Sequence, residues 1–189
     1  MINLQEVSAC FITKFDKYPK EILDQISCYP FGEIMILTHC DSPHRKQELF
    51  EKAKCDWLYY QDDDAIAPIH DLSLVAGNGQ ELVCAMKQGH IEKYDRIRIA
   101  LLGWGSFFPK SITRVLGKYR AKYGEDDLYK RETERIMTYL SYDQYPQKRL
   151  SLPITDLPWA MAPDRLSMQS GHYDYITQVI DKCELLLEN

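Results

Sequence analysis

The sequence is poor in most features that announce a function at once. Its longest apolar stretches, Ile99–Gly103 and the apolar centre of Glu33–Thr38, are strand-sized. They fall far short of the roughly 18 residues a membrane-spanning helix needs. The N-terminus has no basic segment followed by an apolar one, so no secretory signal is read there. The six cysteines (Cys10, Cys28, Cys40, Cys55, Cys84 and Cys183) show no CxxC and no zinc-type spacing. They read as reduced core thiols of a cytoplasmic protein. There is no internal repeat, linker or low-complexity tract, so one domain over residues 1–189 is the simplest organisation. A net charge of −5 argues against a protein that coats nucleic acid by bulk electrostatics. A local basic stripe remains, Lys118, Arg120 and Lys122 followed by Lys130, Arg131 and Arg135, whose plain reading is solvated helix faces and whose alternative is a basic groove.

What is present is an ordinary globular balance, 45% hydrophobic and 27% charged residues over 189 positions. The first third alternates two kinds of segment. Val7–Thr13 is rich in β-formers, and a helix is predicted over Pro19–Ser27, with Ile22, Leu23 and Ile26 on one face. A strand at Glu33–Thr38, a short helix at Lys46–Ala53 and a third strand at Trp57–Tyr60 follow. This β-α-β-α-β order predicts an α/β fold with a mainly parallel sheet, whose ligands belong at the carboxyl ends of the strands.

Later, Leu82–Met86 and Ile99–Gly103 read as strands, with a charged, hairpin-like connection between them. Pro109–Tyr123 and Asp127–Leu140 read as helices, and Lys148–Leu152 as a strand. Pro153–Pro163 reads as extended loop and Tyr173–Leu187 as a closing helix.

The third strand runs straight into Gln61-Asp62-Asp63-Asp64. Three adjacent carboxylates repel one another unless a cation neutralises them. A hard divalent ion would do so and keep positions open for phosphate oxygens. In an extended chain Asp62 and Asp64 face one side and Asp63 the other. On spacing alone the run reads either as such a site or as a solvated acidic turn.

The order of the motifs adds to this. VSACFIT, then EIMILTHCDSP, then CDWLYYQDDDAIAP resembles the front half of family-2-like glycosyltransferases of the GT-A fold. YYQDDDAI, LLGWGSFFPK, RETERIMTYL and DLPWAMAPDR together resemble a group of small bacteriophage-encoded glycosyltransferases, over about residues 7–173. The resemblance implies a GT-A fold, with a mixed, mainly parallel sheet flanked by helices. It implies a nucleotide-sugar half at about residues 1–68 and an acceptor half at about 69–189.

By the same resemblance Asp62 and Asp64 would be the Asp-x-Asp pair holding a divalent cation, Mn2+ or Mg2+, and the sugar diphosphate, with Asp63 beside them. Thr13 to Asp16, and Asp41, would meet the nucleoside of the donor, a UDP-sugar first among the candidates. Arg45 would meet a phosphate or sugar, or stand as a surface arginine. Gly103, Trp104 and Gly105 would face the acceptor, Trp104 either offering a stacking face or packing into the core. His172 would complete the metal site. Asp164 and Arg165 would order a C-terminal loop over the diphosphate, or pair with each other.

The catalytic base is left between carboxylates. Glu132 and Glu134 lie in RETERIMTYL, and Asp126 and Asp127 lie beside a helix start, where capping is the plain alternative. The preference is Glu134 over Asp127. The acceptor would be a hydroxymethylated base in phage DNA, or a glycan or protein, in the host cytoplasm if the chain is phage-encoded. Two rivals remain. A sugar nucleotidyltransferase normally opens with a Gly-rich phosphate loop, which VSACFITKFDKYP lacks. A non-catalytic nucleotide-sugar-binding module would keep the fold without turnover.

Overall fold

The computed structural model describes residues 1–40, 42–77, 81–162 and 170–188. Six strands form the main sheet: β1 (Val7–Ile12), β2 (Glu33–Leu37), β3 (Trp57–Gln61), β5 (Leu82–Met86), β6 (Ser106–Pro109) and β7 (Gln147–Ser151). Their spatial order is β2-β1-β3-β6-β5-β7. β1 pairs in parallel with both β2 and β3, and β5 with β7, while β6 runs antiparallel between β3 and β5. The sheet is therefore mixed and mainly parallel. Two short strands, β4 (Ala65–Ile66) and β8 (Thr155–Asp156), pair separately and lie just beyond the acidic run.

Strand alternation splits the core in two. Cys10, Leu58, Tyr60, Cys84 and Phe108 face one side of the sheet. There they meet the helices α2 (Lys46–Lys52), α5 (Leu116–Tyr123), α6 (Asp127–Ser141) and α7 (His172–Leu187). Val7, Ala9, Phe11, Tyr59, Val83 and Phe107 face the other side, covered by α1 (Lys20–Ile26) and α3 (Ile69–Val75). Successive residues point to opposite faces, so each central strand feeds both layers.

Several expectations are corrected. Ile99–Gly103 is not a strand but an irregular segment whose Ile99, Ala100 and Leu102 are fully buried. An apolar run of that length marks burial and not backbone form. The strand lies further on, at β6, after a turn closed by Gly105 at φ +98°. The charged connection holds no hairpin; it contains a helix, α4 (Gln88–Asp95). The stretch from Pro109 opens as a 3-10 helix, Lys110–Val115, before α5 begins. α3, behind Pro68, lay in a stretch where no element was expected. All six cysteines are free thiols, but only Cys10, Cys40, Cys84 and Cys183 are buried; Cys28 is exposed and Cys55 half-buried, so these two are not the core thiols expected. Among the described residues no helix is long and apolar enough to cross a membrane.

Candidate active site

β1 and β3 run parallel, so their carboxyl ends open side by side. A cavity of about 870 Å³ lies there, bounded by the acidic run, the turn at Gly103 and Trp104, and helices α4, α6 and α7.

Asp62, Asp63 and Asp64 all border this cavity. The chain leaves β3 at Gln61 and turns at Asp63 and Asp64; Asp63 is buried at 4% exposure, and its neighbours are half-buried. Asp63 accepts a 2.5 Å hydrogen bond from Thr13 Oγ1, and its carbonyl accepts one from Trp159 Nε1 at 2.8 Å. It thus ties the end of β1 to the end of β3. Asp62 is fixed in two ways. Its N–H donates to the Gly103 carbonyl at 2.8 Å, and its carboxylate accepts from the Tyr60 hydroxyl. A Cβ placed on Gly103 would stand 2.0 Å from Asp62 Oδ2, so the glycine is what lets that carboxylate sit where it does. The backbone carbonyl of Asp64 accepts from Leu157 N at 2.8 Å, which holds the DLPWA segment against the run.

Cations line the other walls: Lys14, Lys46, Lys87, Arg131 and Arg135. Lys46 is 3% exposed, forms an ion pair with Glu134 and lies 4.8 Å above the Tyr60 ring. Burial pushes its ammonium down to about 8, with Arg135 adding to the effect and Asp62 opposing it. Lys87 pairs with Asp156 at 2.6 Å and sits 5.0 Å over the Trp104 ring, which His90 meets edge-on at 4.8 Å.

On α6, Arg135 pairs with Glu132, whose side chain has no solvent exposure. Arg131 Nε and His172 Nδ1 stand 3.5 and 3.7 Å from Glu132 Oε1. Burial first, then Arg135 and Arg131, drive the His172 imidazole down to about 4, so the ring is neutral near pH 7.

The sequence-expected residues thus divide. Thr13, Asp62, Asp63, Asp64, Gly103, Trp104, Glu132, Glu134 and His172 gather at one cavity. Asp41, Asp164 and Arg165 lie outside the described residues. Three others do not border the cavity. Asp127 is solvent-exposed in the first turn of α6, while its neighbour Asp126 caps that helix through Tyr129 N at 2.8 Å. Arg45 turns to Glu48 at 2.9 Å. Gly105 is packed against Ala67, where a Cβ would stand 2.5 Å from the alanine methyl.

The basic stripe is also divided. Arg120 pairs with Glu51 and Glu125, and Lys122 caps the Leu185 carbonyl, whereas Arg131 and Arg135 turn into the cavity. Lys46, Lys87 and His90 were not singled out from sequence. Lys46 could have been, because it shares the i, i+3, i+4, i+7 stripe of Leu49, Phe50 and Ala53, which is the buried face of its helix.

Whether a divalent cation fits rests on the donors present. Asp62 and Asp64 offer hard carboxylate oxygens to one cavity, from the end of β3 and the turn that follows it, which suits Mg2+ or Mn2+. Among the described residues no group of three His, Cys, Asp or Glu side chains is gathered tightly enough to hold an ion by itself. The pair fits an ion that completes its shell with water and ligand phosphate oxygens, the usual habit of Mg2+.

No protein-family model matches the sequence, and no curated protein does. Solved structures do resemble the fold. Glucosyl-3-phosphoglycerate synthase from Mycobacterium tuberculosis, in complex with Mg2+ and uridine-diphosphate, superposes with a TM-score of 0.59 at 10% identity, over 94% of this chain and 79% of that one. The mannosyltransferase PcManGT from Pyrobaculum calidifontis, in complex with GDP-Man and Mn2+, gives 0.44 at 13% identity, over 97% and 74%. A glycosyltransferase involved in glycosylation of the major capsid of PBCV-1 gives 0.44 at 10%, over 97% and 99%. With its mixed sheet, flanking helices and the first of these likenesses, the chain has the GT-A fold.

Proposed function

We propose that this chain is a metal-dependent glycosyltransferase that moves a sugar from a nucleoside-diphosphate sugar to an acceptor hydroxyl. One observation carries the reading: Asp62 and Asp64, at the end of β3, share a single cavity with the cations Lys46, Arg131 and Arg135. A sugar diphosphate bound to a divalent ion needs that pairing, oxygen ligands for the metal and fixed positive charge for the leaving phosphates. The 0.59 likeness to a synthase holding Mg2+ and uridine-diphosphate makes a UDP-sugar the first donor to test.

When bound, the divalent ion supplies Lewis-acid neutralisation of the diphosphate. Asp62 and Asp64 are the residues that hold it. Asp62 enters the reaction already oriented by Tyr60 and backed by Gly103. Asp63, held by Thr13, keeps β1 and β3 in register at the donor end. Arg131, Arg135 and Lys46 stabilise the negative charge that grows on the leaving diphosphate as the anomeric C–O bond breaks.

Glu134 is the base, and it accepts the acceptor's hydroxyl proton while that oxygen bonds to the anomeric carbon. Its ion pair with Lys46 fixes its position in the cavity wall. Attack from the face opposite the diphosphate inverts the anomeric configuration. Trp104, flanked by His90 and Lys87, is the stacking face for the acceptor. Asp41 and Arg165 remain assigned as expected from sequence, whereas His172 is not kept as a metal ligand, because its Nδ1 faces Glu132, its Nε2 faces Arg135, and it does not gather with Asp62 and Asp64. The acceptor is a hydroxyl compound of the glycan or protein class. Among the described residues Arg120 and Lys122 are engaged by neighbouring groups and Arg131 and Arg135 turn into the cavity, which favours that class over a base in duplex DNA.

The test is a thermal-shift panel of nucleoside diphosphates and nucleotide-sugars with manganese, magnesium or EDTA. Ligands that bind only the folded state raise the melting temperature by mass action. A manganese-dependent shift with one nucleotide, lost in Asp64→Ala, is the expected result. No shift with any nucleotide in the folded protein refutes the reading. Binding with no transfer to any acceptor would instead mark a nucleotide-sugar-binding module.

A further inference from the structure

The segment RETER places two carboxylates in the same cavity wall, and their surroundings differ sharply. The Glu134 side chain keeps 18% exposure and pairs with a single cation, Lys46. The Glu132 side chain keeps none, and three partners close around it. Arg135 Nη1 pairs with its Oε2, Arg131 Nε lies 3.5 Å from its Oε1, and His172 Nδ1 lies 3.7 Å from the same oxygen. The far side of Arg131 rests 4.1 Å from the Tyr175 ring of α7, and Arg135 Nη2 reaches His172 Nε2 at 3.4 Å. With no exposed side-chain surface, Glu132 is less accessible to an acceptor hydroxyl than Glu134.

The backbone adapts to this arrangement. α6 leaves helical geometry at Glu132 (φ −121°, ψ 26°), next to Thr133, whose hydroxyl bonds back to the Tyr129 carbonyl. Back-bonding of that kind bends helices. Arg131 and Arg135, four residues apart, would repel one another on one helix face. With Glu132 between them they form a packed unit of net charge +1 that borders the donor cavity. Glu132 Oε1, Arg135 Nε and His172 Nδ1 have no hydrogen-bond partner among the described residues, so the unit is held by charge more than by hydrogen bonds.

We infer that Glu132 is a positioning residue: from within the cavity wall it aims Arg131 and Arg135 at the diphosphate, and it takes no proton itself. This rests on the donor-site reading given above. It separates the two glutamates of RETER by task, one holding cations and one accepting a proton.

Glu132→Gln tests the inference, because the amide keeps the shape and removes the charge. Three probes are titrated into wild type and variant: UDP with Mn2+, inorganic pyrophosphate with Mn2+, and uridine alone. The arginine Nε–Hε signals are followed by NMR. The expected result is about a tenfold or larger weakening for UDP and pyrophosphate, the scale seen when an outer-shell partner is lost. Uridine binding stays unchanged, and the Nε–Hε signal of Arg131, whose nitrogen lies 3.5 Å from Glu132 Oε1, shifts toward that of an exposed arginine.

A folded Glu132→Gln that binds pyrophosphate like wild type overturns the inference. So does an equal loss for uridine, which would mean that the whole cavity had been damaged. A wild-type protein that binds neither UDP nor pyrophosphate refutes the donor site itself. That failure is told apart because it appears before any substitution is made.

Discussion

Gly103→Ala isolates the metal-binding carboxylate without touching it. The added Cβ would stand 2.0 Å from Asp62 Oδ2 and 2.7 Å from its Cγ, so the carboxylate must retreat by more than an ångström. In doing so it gives up the Tyr60 hydroxyl. The loss of that hydrogen bond costs about 1–3 kcal/mol. Removing a glycine from the unfolded chain returns about 0.4–1 kcal/mol. The net change in stability is about 1–2 kcal/mol. For a chain of this size that lowers the melting temperature by roughly 2–8 °C.

The effect on ligand binding is larger. A displaced support behind a metal ligand weakens metal affinity by about 10- to 100-fold. At a UDP–Mn2+ concentration 100 times the dissociation constant, wild type gains about 2.7 kcal/mol, equivalent to roughly 5–11 °C. A 100-fold weaker variant gains only about 0.4 kcal/mol, roughly 1 °C under the same conditions. Paired thermal shifts with and without UDP and manganese read both quantities. A Gly103→Ala protein with the full wild-type ligand shift would refute the role of Asp62, because its carboxylate cannot remain where it is.

The other consequences concern stability and pH. Lys46→Met keeps the buried stem but strands Glu134, and is expected to cost about 3 kcal/mol, at the low end for a broken buried pair because Glu134 is partly exposed. Urea denaturation at neutral pH measures it. Gly105→Ala forces an L side chain into φ +98° and drives its methyl into Ala67, so a loss of about 2–4 kcal/mol is expected from thermal melting. For His172, the unfolded imidazole takes a proton near 6.5 and the folded one only near 4. The unfolded state therefore binds more protons in that window, and stability falls as pH drops through it, by up to about 3 kcal/mol. His172→Gln is expected to flatten that slope in denaturation curves taken from pH 7 to 4, and an unchanged slope would refute the assignment.

Much of the first third was legible because its signals are local. Runs of β-forming residues gave β1, β2 and β3 to within a residue or two, and with them the place of the acidic run at a strand end. Where several backbones suit one composition, the reading failed. Ile99–Gly103 is as apolar as a strand, yet it folds as a buried turn-bearing segment because Gly105 redirects the chain. Asp127 and Arg45 carry the right charge for a site but sit on helix positions that face solvent or a neighbouring glutamate.

The sequence by itself determined the strand periods, the acidic run and its place at a strand end, since each depends only on neighbours along the chain. The tertiary structure decided which cations meet that run. Lys46, Arg131 and Arg135 converge only once α2 and α6 have packed on the same face of the sheet. It also decided that Glu132 is enclosed while Glu134 remains open to the cavity. Helix rotation against the sheet is set by the fit of the whole core, and a change of one hundred degrees per residue turns a solvated charge into a buried one.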